Sequence, residues 1–568
     1  MAMNGPVRAS GLWGFPFTKD SSLWDTDPLN SQDAVPMESI IPLAPSFISR
    51  LPPELLLEIF HYCRIQVTEW SSCAPEWIAI THVCQQWREI AIRDRRMWCH
   101  TPFKLSLPWR GHFVSRSAPR PMEVEYEMRP PDPGSSSSLA SIQHAAQKGY
   151  IYWMDKWMDR VRRLHIRGRP CAMREDLQLL LRATPSAAIL EELCLEFMES
   201  WDQFPAETQP LPAAGIFLDH IFSGRTPKLH TLRLIGGFSS VASASAPVLP
   251  MLRHFSYTDT MGVYLEVFIR VLQKLPQLET LHFEYLAPTT TTWPFPDISA
   301  DLPHLSSISI TSSHDTYLCQ VGNHINFPAT TRVHIRFVAQ EPLTAQSWTR
   351  TSVALQLFYP NFASGLPTRV HIETDLGKCL LACWYGPLAP AASDASAPFH
   401  ATANIVFELD CSQKMSVGEP RLFPELYPPL FSFLKLTGTP CLSISERCTS
   451  SVWQMDWAKM FCRLTDVREL RVSGWIHSPL NAACSARARA APPPADGQTS
   501  TVACPQPPLP KLKKLIVADT VLSDDIDGDV WALEQYLMYR WDQGAALEEV
   551  VFENCSGGFD ARHLHRDA

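Results

Sequence analysis

The sequence lacks the features that mark secreted and membrane-spanning proteins. No run of eighteen uninterrupted apolar residues occurs, and the start of the chain has no continuous apolar stretch before a small-residue cleavage site. The 16 cysteines are scattered and form no CxxC pair, and those within apolar patterns, such as Cys84 and Cys194, are interpreted as small buried side chains. These absences favour a cytoplasmic or nuclear protein with reduced thiols.

A broad excess of positive charge is also absent. With 49 Lys and Arg against 58 Asp and Glu, the net charge is −9 and the pI is near 6.1. Such a chain has no extended basic field, so we expect neither nucleic acid nor a membrane as a partner. Its 568 residues, of which 45% are hydrophobic, are enough for two or more domains with a substantial core.

The residue sets of common catalytic and metal sites are missing as well. No GxxxxGK(S/T), GxGxxG, HExxH or GxSxG pattern occurs, so nucleotide, zinc and serine-hydrolase sites lack their minimal residues. His563 and His565 form an isolated HxH, and the acidic run 524–529 lacks the Gly and the distal Glu of a calcium loop. We therefore expect no catalytic residue, no cofactor and no metal, and the protein is not expected to be an enzyme.

What the sequence does contain is a pair of apolar helical stripes near its amino-terminal end. The first stripe follows Pro52 and Pro53, which favour a helix start, and both stripes recur at helical spacing. A unit of roughly 50 residues cannot cover that much apolar surface, so part of it is predicted to contact another protein. The alternative is that all of it forms the core of a helical bundle. The stripes are Leu55, Leu56, Ile59, Phe60 and Cys63, then Ile80, Val83, Cys84, Trp87 and either Ile90 or Ala91.

The same residues resemble the F-box family over an ordered series of positions. The family pattern has a Leu-Pro start, an acidic and leucine-rich first helix, a Trp three residues after a Val-Cys or Val-Ser pair, and a final Trp. The residues that match it are Leu51, Pro52, Glu54, Leu55, Ile59, Val83, Cys84, Trp87, Arg88 and Trp98. The resemblance implies a three-helix F-box that docks on the Skp-type adaptor of a cullin ubiquitin ligase.

The resemblance also implies which side chains make the docking contact. Trp87 is the kind of large anchor that tends to dominate the free energy of binding at an interface. The adaptor-binding residues implied are Leu51, Pro52, Leu55, Ile59, Val83, Cys84, Trp87 and Trp98.

A second pattern recurs from about residue 160 onward. It consists of an apolar residue, two spacers, an apolar residue, one spacer and an apolar residue, and its last two positions alternate with polar residues. That alternation is typical of a strand with one buried face, and helical spacing predicts helices over 261–275 and 530–540. The predicted strands carry Val161-Leu164-Ile166, Leu190-Leu193-Leu195, Leu229-Leu232-Leu234, Leu252-Phe255-Tyr257, Leu278-Leu281-Phe283, Leu305-Ile308-Ile310, Val467-Leu470-Val472, Leu512-Leu515-Val517 and Leu547-Val550-Phe552.

The spacing of these units resembles a degenerate leucine-rich repeat. Successive central positions are separated by 23, 26, 27 and 25 residues, at Leu232, Phe255, Leu281, Ile308 and Val333. The predicted fold class is therefore α/β, with a three-helix F-box followed by an irregular leucine-rich-repeat-like solenoid. An ordinary α/β domain with a parallel sheet has the same alternation of strands and helices and stays open as the alternative.

Composition shifts and Pro-rich stretches suggest the domain boundaries. Within 346–453 the strand register is undefined, although TRVHIE, ANIVFEL and CLSISE are candidate strands. The predicted segments are a disordered amino-terminal segment 1–45, the F-box 46–103, a linker and connecting segment 104–158, the repeat-like domain 159–556 with a disordered insertion near 486–510, and a tail 557–568.

These patterns predict a substrate-recognition subunit of a cullin-based (SCF-type) ubiquitin ligase. The F-box would dock the adaptor, and outward-facing strand residues would bind a target protein whose identity the sequence does not give. The alternatives are a ligase-independent interaction scaffold and an α/β enzyme that carries a decayed amino-terminal motif. The predicted target-binding residues are Arg233, Arg253, His282, Glu284 and Arg471.

Overall fold

The described part of the chain covers much of the predicted F-box and most of the predicted strands. In the computed structural model these residues are 47–66, 76–101, 107–128, 156–168, 187–197, 226–236, 249–259, 265–285, 298–339, 351, 353, 357–358, 366–375, 378–385, 403–410, 436–447, 457–461, 463–490, 508–522 and 528–557.

Helices lie at the amino-terminal end and between strands further along the chain. Short 3-10 helices at Phe47–Arg50, Glu76–His82 and Arg95–Trp98 flank the first two α-helices. The α-helices are α1 (Pro53–Gln66), α2 (Gln85–Arg93), α3 (Leu107–Ser117), α4 (Leu265–Leu272), α5 (Asp315–His324), α6 (Trp457–Phe461), α7 (His477–Ala490) and α8 (Asp529–Asp542).

Local capping fixes both ends of α2. Its N-cap is Cys84, whose sulfur accepts a hydrogen bond from the backbone N–H of Trp87 at 3.5 Å. At its other end the N–H of Asp94 bonds to the carbonyl of Ile90, and the Asp94 carboxylate accepts from the N–H of Arg96 at 3.0 Å, which starts the next 3-10 turn. Within the described part of 46–103 the α-helices are α1 and α2, so the predicted third helix is not confirmed.

The strands form one large sheet and two small ribbons. Their bounds are β1 (His100–Thr101), β2 (Met122–Met128), β3 (Val161–Gly168), β4 (Glu192–Phe197), β5 (Thr231–Ile235), β6 (His254–Asp259), β7 (Thr280–Tyr285), β8 (Ala300–Asp301), β9 (Ser307–Ser312), β10 (Ile325–Asn326), β11 (Arg332–Val338), β12 (Arg369–Asp375), β13 (Lys378–Trp384), β14 (Ile405–Asp410), β15 (Cys441–Glu446), β16 (Glu469–Gly474), β17 (Lys514–Ala518), β18 (Val521–Leu522), β19 (Glu549–Glu553) and β20 (Ser556–Gly557).

Within the described ranges the large sheet has 16 strands, in the order β1-β2-β3-β4-β5-β6-β7-β9-β11-β14-β13-β12-β15-β16-β17-β19. Neighbouring strands are parallel except around β13, which is antiparallel to both β12 and β14. The prediction of a mixed α/β protein with helices in the F-box region is confirmed. The last two apolar positions of every recurring unit lie on a strand of this sheet. Among the described residues, none of the helices is both long and apolar enough to cross a bilayer.

Register aligns the buried side chains of neighbouring strands. Leu234 pairs with Tyr257, and Tyr257 pairs with Phe283, so these side chains form one continuous row. The Tyr257 and Phe283 rings stack with their centroids 5.8 Å apart. The ring centroid of Phe268 in α4 lies 4.4 Å from that of Phe283. Burial of such a side chain contributes about 1.5–3 kcal/mol. The core therefore lies between the sheet and its helices, and the alternate residues face the other way.

Two predicted boundaries differ from the observed elements. The predicted connecting segment 104–158 contains α3 and β2, and β2 pairs with β3 in the main sheet. Helix α7 continues to Ala490, inside the segment near 486–510 that was predicted to be a disordered insertion. The predicted disordered segment 1–45, the rest of that insertion as far as residue 507, and most of the tail lie outside the described residues.

Candidate functional site

Helix α1 carries two apolar faces where the sequence pattern indicates one. Leu56 and Phe60 are fully buried, whereas Leu55 is 52% exposed and Ile59 is 43% exposed. Leu55 and Ile59 are four residues apart and Tyr62 follows three residues later, so these side chains lie one above the other on the outer face. One face of α1 therefore builds the core, and the other presents apolar surface to solvent.

The amino-terminal end of α2 presents a second group of exposed side chains. Val83 is 60% exposed, and the N-cap residue Cys84 is exposed as well. Trp87, one turn later, is half-buried, and its ring centroid lies 5.1 Å from that of the buried Phe60. This contact fixes α2 against α1. We call Leu55, Ile59, Tyr62 and Val83 the exposed apolar surface.

Leu51 and Pro52 lie at the entrance to α1. Leu51 is half-buried and packs against the small core of this region, while Pro52 is exposed. The carbonyl of Pro52 accepts hydrogen bonds from the N–H groups of Leu55 and Leu56, each at 3.1 Å. These two residues therefore position the first turn of α1 next to the exposed apolar surface.

Trp98 occupies a different environment from the other predicted adaptor-binding residues. It is 1% exposed and donates a hydrogen bond from Nε1 to the carbonyl of Ala91 at 2.9 Å. Its ring meets those of Trp77 and Phe113 in edge-on contacts, with centroids 5.2 and 5.1 Å away. A buried tryptophan with its N–H satisfied is a core residue. The structure therefore places Trp98 beneath the surface, where it supports the predicted contact residues from inside.

A hydrogen bond between two side chains holds the helices of this region together. His61 of α1 contacts Asp94 after α2, with Nε2 and Oδ2 2.8 Å apart, and both side chains are largely buried. Burial acts to raise the pKa of Asp94, but hydrogen bonds from Arg96 and His61 outweigh it, so the pKa lies below its usual value. Asp94 is thus ionised at neutral pH. The sequence pattern did not indicate this pair, because its partners are 33 residues apart.

The predicted target-binding residues lie on the outward side of the large sheet or beside its strands. Arg233 of β5 is exposed, and the partly buried His282 lies two strands away. Burial lowers the pKa of His282, with Arg233 and His334 acting in the same direction and Glu284 opposing them. These side chains therefore lie close enough in the central part of the sheet to influence the protonation of His282.

The other two predicted arginines already have partners. Arg253 forms an ion pair with Glu279 at 3.2 Å, and Arg471 of β16 contacts Glu553 of β19 at 2.6 Å. Since Arg471 lies near the far end of the strand order, the structure does not bring it close to Arg233. The described part of the chain contains no group of three or more His, Cys, Asp or Glu side chains placed to hold a metal ion.

Comparison with known families gives an independent result for the amino-terminal region. Residues 48–101 match the family described as F-box-like. The matched segment contains α1, α2 and the exposed apolar surface, and the chain therefore carries an F-box-like domain. F-box domains generally bind Skp-type adaptors, and this domain suggests a ubiquitin-ligase adaptor role in general. No curated protein matches the chain.

Proposed function

We propose that this protein is a substrate-recognition subunit of an SCF-type ubiquitin ligase. Its F-box-like domain docks on the Skp-type adaptor, and the outward face of the large sheet binds the target. The protein contributes no reacting group, because holding a target lysine beside a charged ubiquitin carrier raises the effective concentration of both. This assignment requires a cytoplasmic or nuclear location.

One observation carries the proposal: apolar side chains of the F-box-like domain remain uncovered. Leu55, Ile59 and Val83 are exposed although the domain has an apolar core directly beneath them. Exposed apolar side chains are common singly, but here Leu55 and Ile59 share one helix face, and they and Val83 lie on a segment that matches an adaptor-binding family. An adaptor that covers these side chains gains their hydrophobic free energy, with Trp87 as the anchor at the edge.

The order of strands supports the second half of the proposal. From β2 to β7 each strand pairs in parallel with the next one along the chain, which is typical of a leucine-rich-repeat-like solenoid. We propose that 159–556 forms such an irregular solenoid. Its outward positions, including Arg233, His282 and Glu284, then lie side by side on one surface. A target protein would bind there.

A pull-down with purified Skp-type adaptor tests the docking half directly. The double variant Leu55→Asp/Val83→Asp places charge on the exposed apolar surface and is expected to abolish capture. Val521→Asp is the matched control, because Val521 is 70% exposed in β18, far along the chain from the F-box-like domain. Equal capture of the double variant and the wild type contradicts the proposal.

Cell-based purification tests the ligase half. With the proteasome inhibited, the wild-type chain is expected to bring down adaptor, cullin and a ubiquitinated client, whereas the double variant loses all three. If the adaptor is captured without cullin and without a ubiquitinated client, the protein is a ligase-independent scaffold and the ligase assignment is wrong.

A further inference from the structure

A cysteine lies between two basic residues on the outward face of the sheet. In the parallel register His165 of β3 pairs with Cys194 of β4, and Cys194 pairs with Arg233 of β5. All three alternate with buried leucine or isoleucine side chains and therefore point to the same face. Neighbouring strands are about 4.8 Å apart, so an imidazole and a guanidinium flank the thiol. Cys194 is partly exposed, which leaves it open to small reagents.

The imidazole of His165 connects the thiol to a carboxylate. Its Nε2 lies 3.0 Å from Oε2 of Glu196, and its ring is also hydrogen-bonded to Cys194. Burial acts to lower the pKa of His165, but the interactions with Cys194 and Glu196 outweigh it and raise the pKa to about 9. The imidazole is therefore placed to exchange a proton with the thiol. A thiol, an imidazole and a carboxylate in sequence form the arrangement that activates cysteine nucleophiles.

We propose that Cys194 is a reactive thiol that hydrogen peroxide oxidises to a sulfenic acid, with His165 taking its proton, Arg233 stabilising the negative charge that develops on the sulfur and Glu196 positioning the imidazole. Positive groups beside a partly exposed cysteine increase its thiolate character, which determines its susceptibility to oxidation. The reaction requires nothing from the F-box-like domain, so its test is independent of the proposed ligase function.

The step balances with the groups on this face and one peroxide molecule. His165 takes the Cys194 proton while the sulfur attacks one peroxide oxygen, an S–O bond forms and the O–O bond breaks. The sulfur loses two electrons, and the departing oxygen gains them and leaves as hydroxide. His165 then gives the proton to that hydroxide, so the products are the sulfenic acid and water, and the imidazole returns to its starting state.

A second cysteine of the same sheet provides a matched control. Cys441 of β15 is partly exposed like Cys194, but in register it lies between Arg369 of β12 and Glu469 of β16. Burial raises the pKa of Cys441, Glu469 adds to that rise and Arg369 opposes it. One flanking charge is thus positive and the other negative. A difference in reactivity between the two cysteines therefore reports the flanking charges rather than simple exposure.

The experiment measures alkylation of each cysteine in the intact, folded chain. Iodoacetamide is added at pH 7, and the modified sites are quantified by mass spectrometry after quenching and digestion. Cys194 is expected to react about tenfold faster than Cys441. His165→Gln is expected to slow Cys194 about tenfold and Glu196→Gln about threefold, while Cys441 is unchanged in both variants. With peroxide and dimedone, the dimedone adduct is expected at Cys194 and not at Cys441.

Equal alkylation rates for the two cysteines in the wild type overturn the proposal, as does an unchanged Cys194 rate in folded His165→Gln. Where circular dichroism shows that this variant is unfolded, Glu196→Gln decides instead. An unchanged Cys194 rate in folded Glu196→Gln rules out the activated thiol.

Discussion

The side chains of His61 and Asp94 join α1 to the end of α2 in the F-box-like domain, with Nε2 and Oδ2 2.8 Å apart. The same carboxylate caps the 3-10 turn at Arg96 and pairs with the Arg96 guanidinium at 3.0 Å. One largely buried anion thus holds α1, the end of α2 and the following turn in place. The geometry of the exposed apolar surface depends on this contact, because it fixes how α1 lies against α2.

We expect Asp94→Asn to weaken the F-box-like domain by about 1–2 kcal/mol at pH 7. The folded-state pKa of Asp94 is lowered, so its stabilisation is present above the unfolded value and is lost as the pH falls through the folded value. The wild type should therefore begin to lose this advantage as the pH falls below about 4. Urea unfolding at pH 7 and pH 3.5, monitored by tryptophan fluorescence, measures the difference in unfolding free energy between the wild type and the variant. Glu89→Gln on the exposed side of α2 is the control, and equal stability of Asp94→Asn and wild type at pH 7 contradicts the prediction.

Two adjacent leucines of α1 should separate folding from binding. Leu56 is fully buried, so Leu56→Ala should cost about 2–5 kcal/mol of stability. Leu55 is half-exposed, so Leu55→Ala should change stability by less than about 0.5 kcal/mol and weaken adaptor binding about tenfold. Thermal unfolding and titration calorimetry with purified adaptor measure the two effects. If Leu55→Ala destabilises the fold as much as Leu56→Ala does, the outer face of α1 is core.

Glu446 should make the stability of the sheet depend on pH near neutrality. It is buried at the end of β15, and burial raises its pKa to about 7, with Ser478 acting in the opposite direction. Because the folded value is raised, stability is full below the unfolded value and falls as the pH rises through 7. The loss amounts to about 3 kcal/mol at high pH.

Glu446→Gln should therefore be more stable than the wild type at pH 8 and close to it at pH 5. Urea unfolding at the two pH values measures the difference, and Glu469→Gln on the outward face of β16 is the matched control. If the unfolding free energy of Glu446→Gln still depends on pH as that of the wild type does, another group causes the pH dependence.

Arg540 should stabilise the packing of α8 against the segment 508–512. It is 1% exposed in α8 and donates hydrogen bonds to the carbonyls of Pro508, Leu509 and Leu512 at 3.2, 2.8 and 2.9 Å. Arg540→Met keeps most of the volume but leaves buried carbonyls without donors, so we expect a loss of about 3 kcal/mol. Hydrogen exchange of 508–522 should rise in this variant. Lys511→Met, on the exposed surface, is expected to leave the exchange unchanged.

The recurring apolar unit allowed the strands to be predicted because alternation with period two is a local property of the sequence. The alternation pattern did not predict strand β13, because both faces of this strand are apolar. Leu381 and Cys383 face the main core, whereas Ala382 and Trp384 join a separate cluster with Val406, so no alternation is visible. Strand β2 does alternate, with Met122, Val124 and Tyr126 buried, but it lacks the repeat spacing and was assigned to a connecting segment.

The candidate site was predicted as a set of residues but not as a surface. The spacing of Leu55, Leu56, Ile59 and Phe60 indicated one apolar stripe, because residues three and four apart share a helix side. Only the packing of α1 against Trp87 and Trp77 divides that stripe into buried and exposed halves. Trp98 fits the family pattern as well as Trp87 does, yet its ring and N–H are satisfied inside the domain.

The sequence by itself determined the F-box-like segment, the alternating strands and the mixed α/β class, since each depends on spacing between residues close along the chain. The tertiary structure decided which apolar side chains stay uncovered, that β13 runs antiparallel, and that His165, Cys194 and Arg233 lie side by side. These relationships join residues that are distant along the chain, and the local periodicity of the sequence does not predict which of them come into contact. Burial and charge proximity are properties of the folded chain, and so is the chemistry that follows from them.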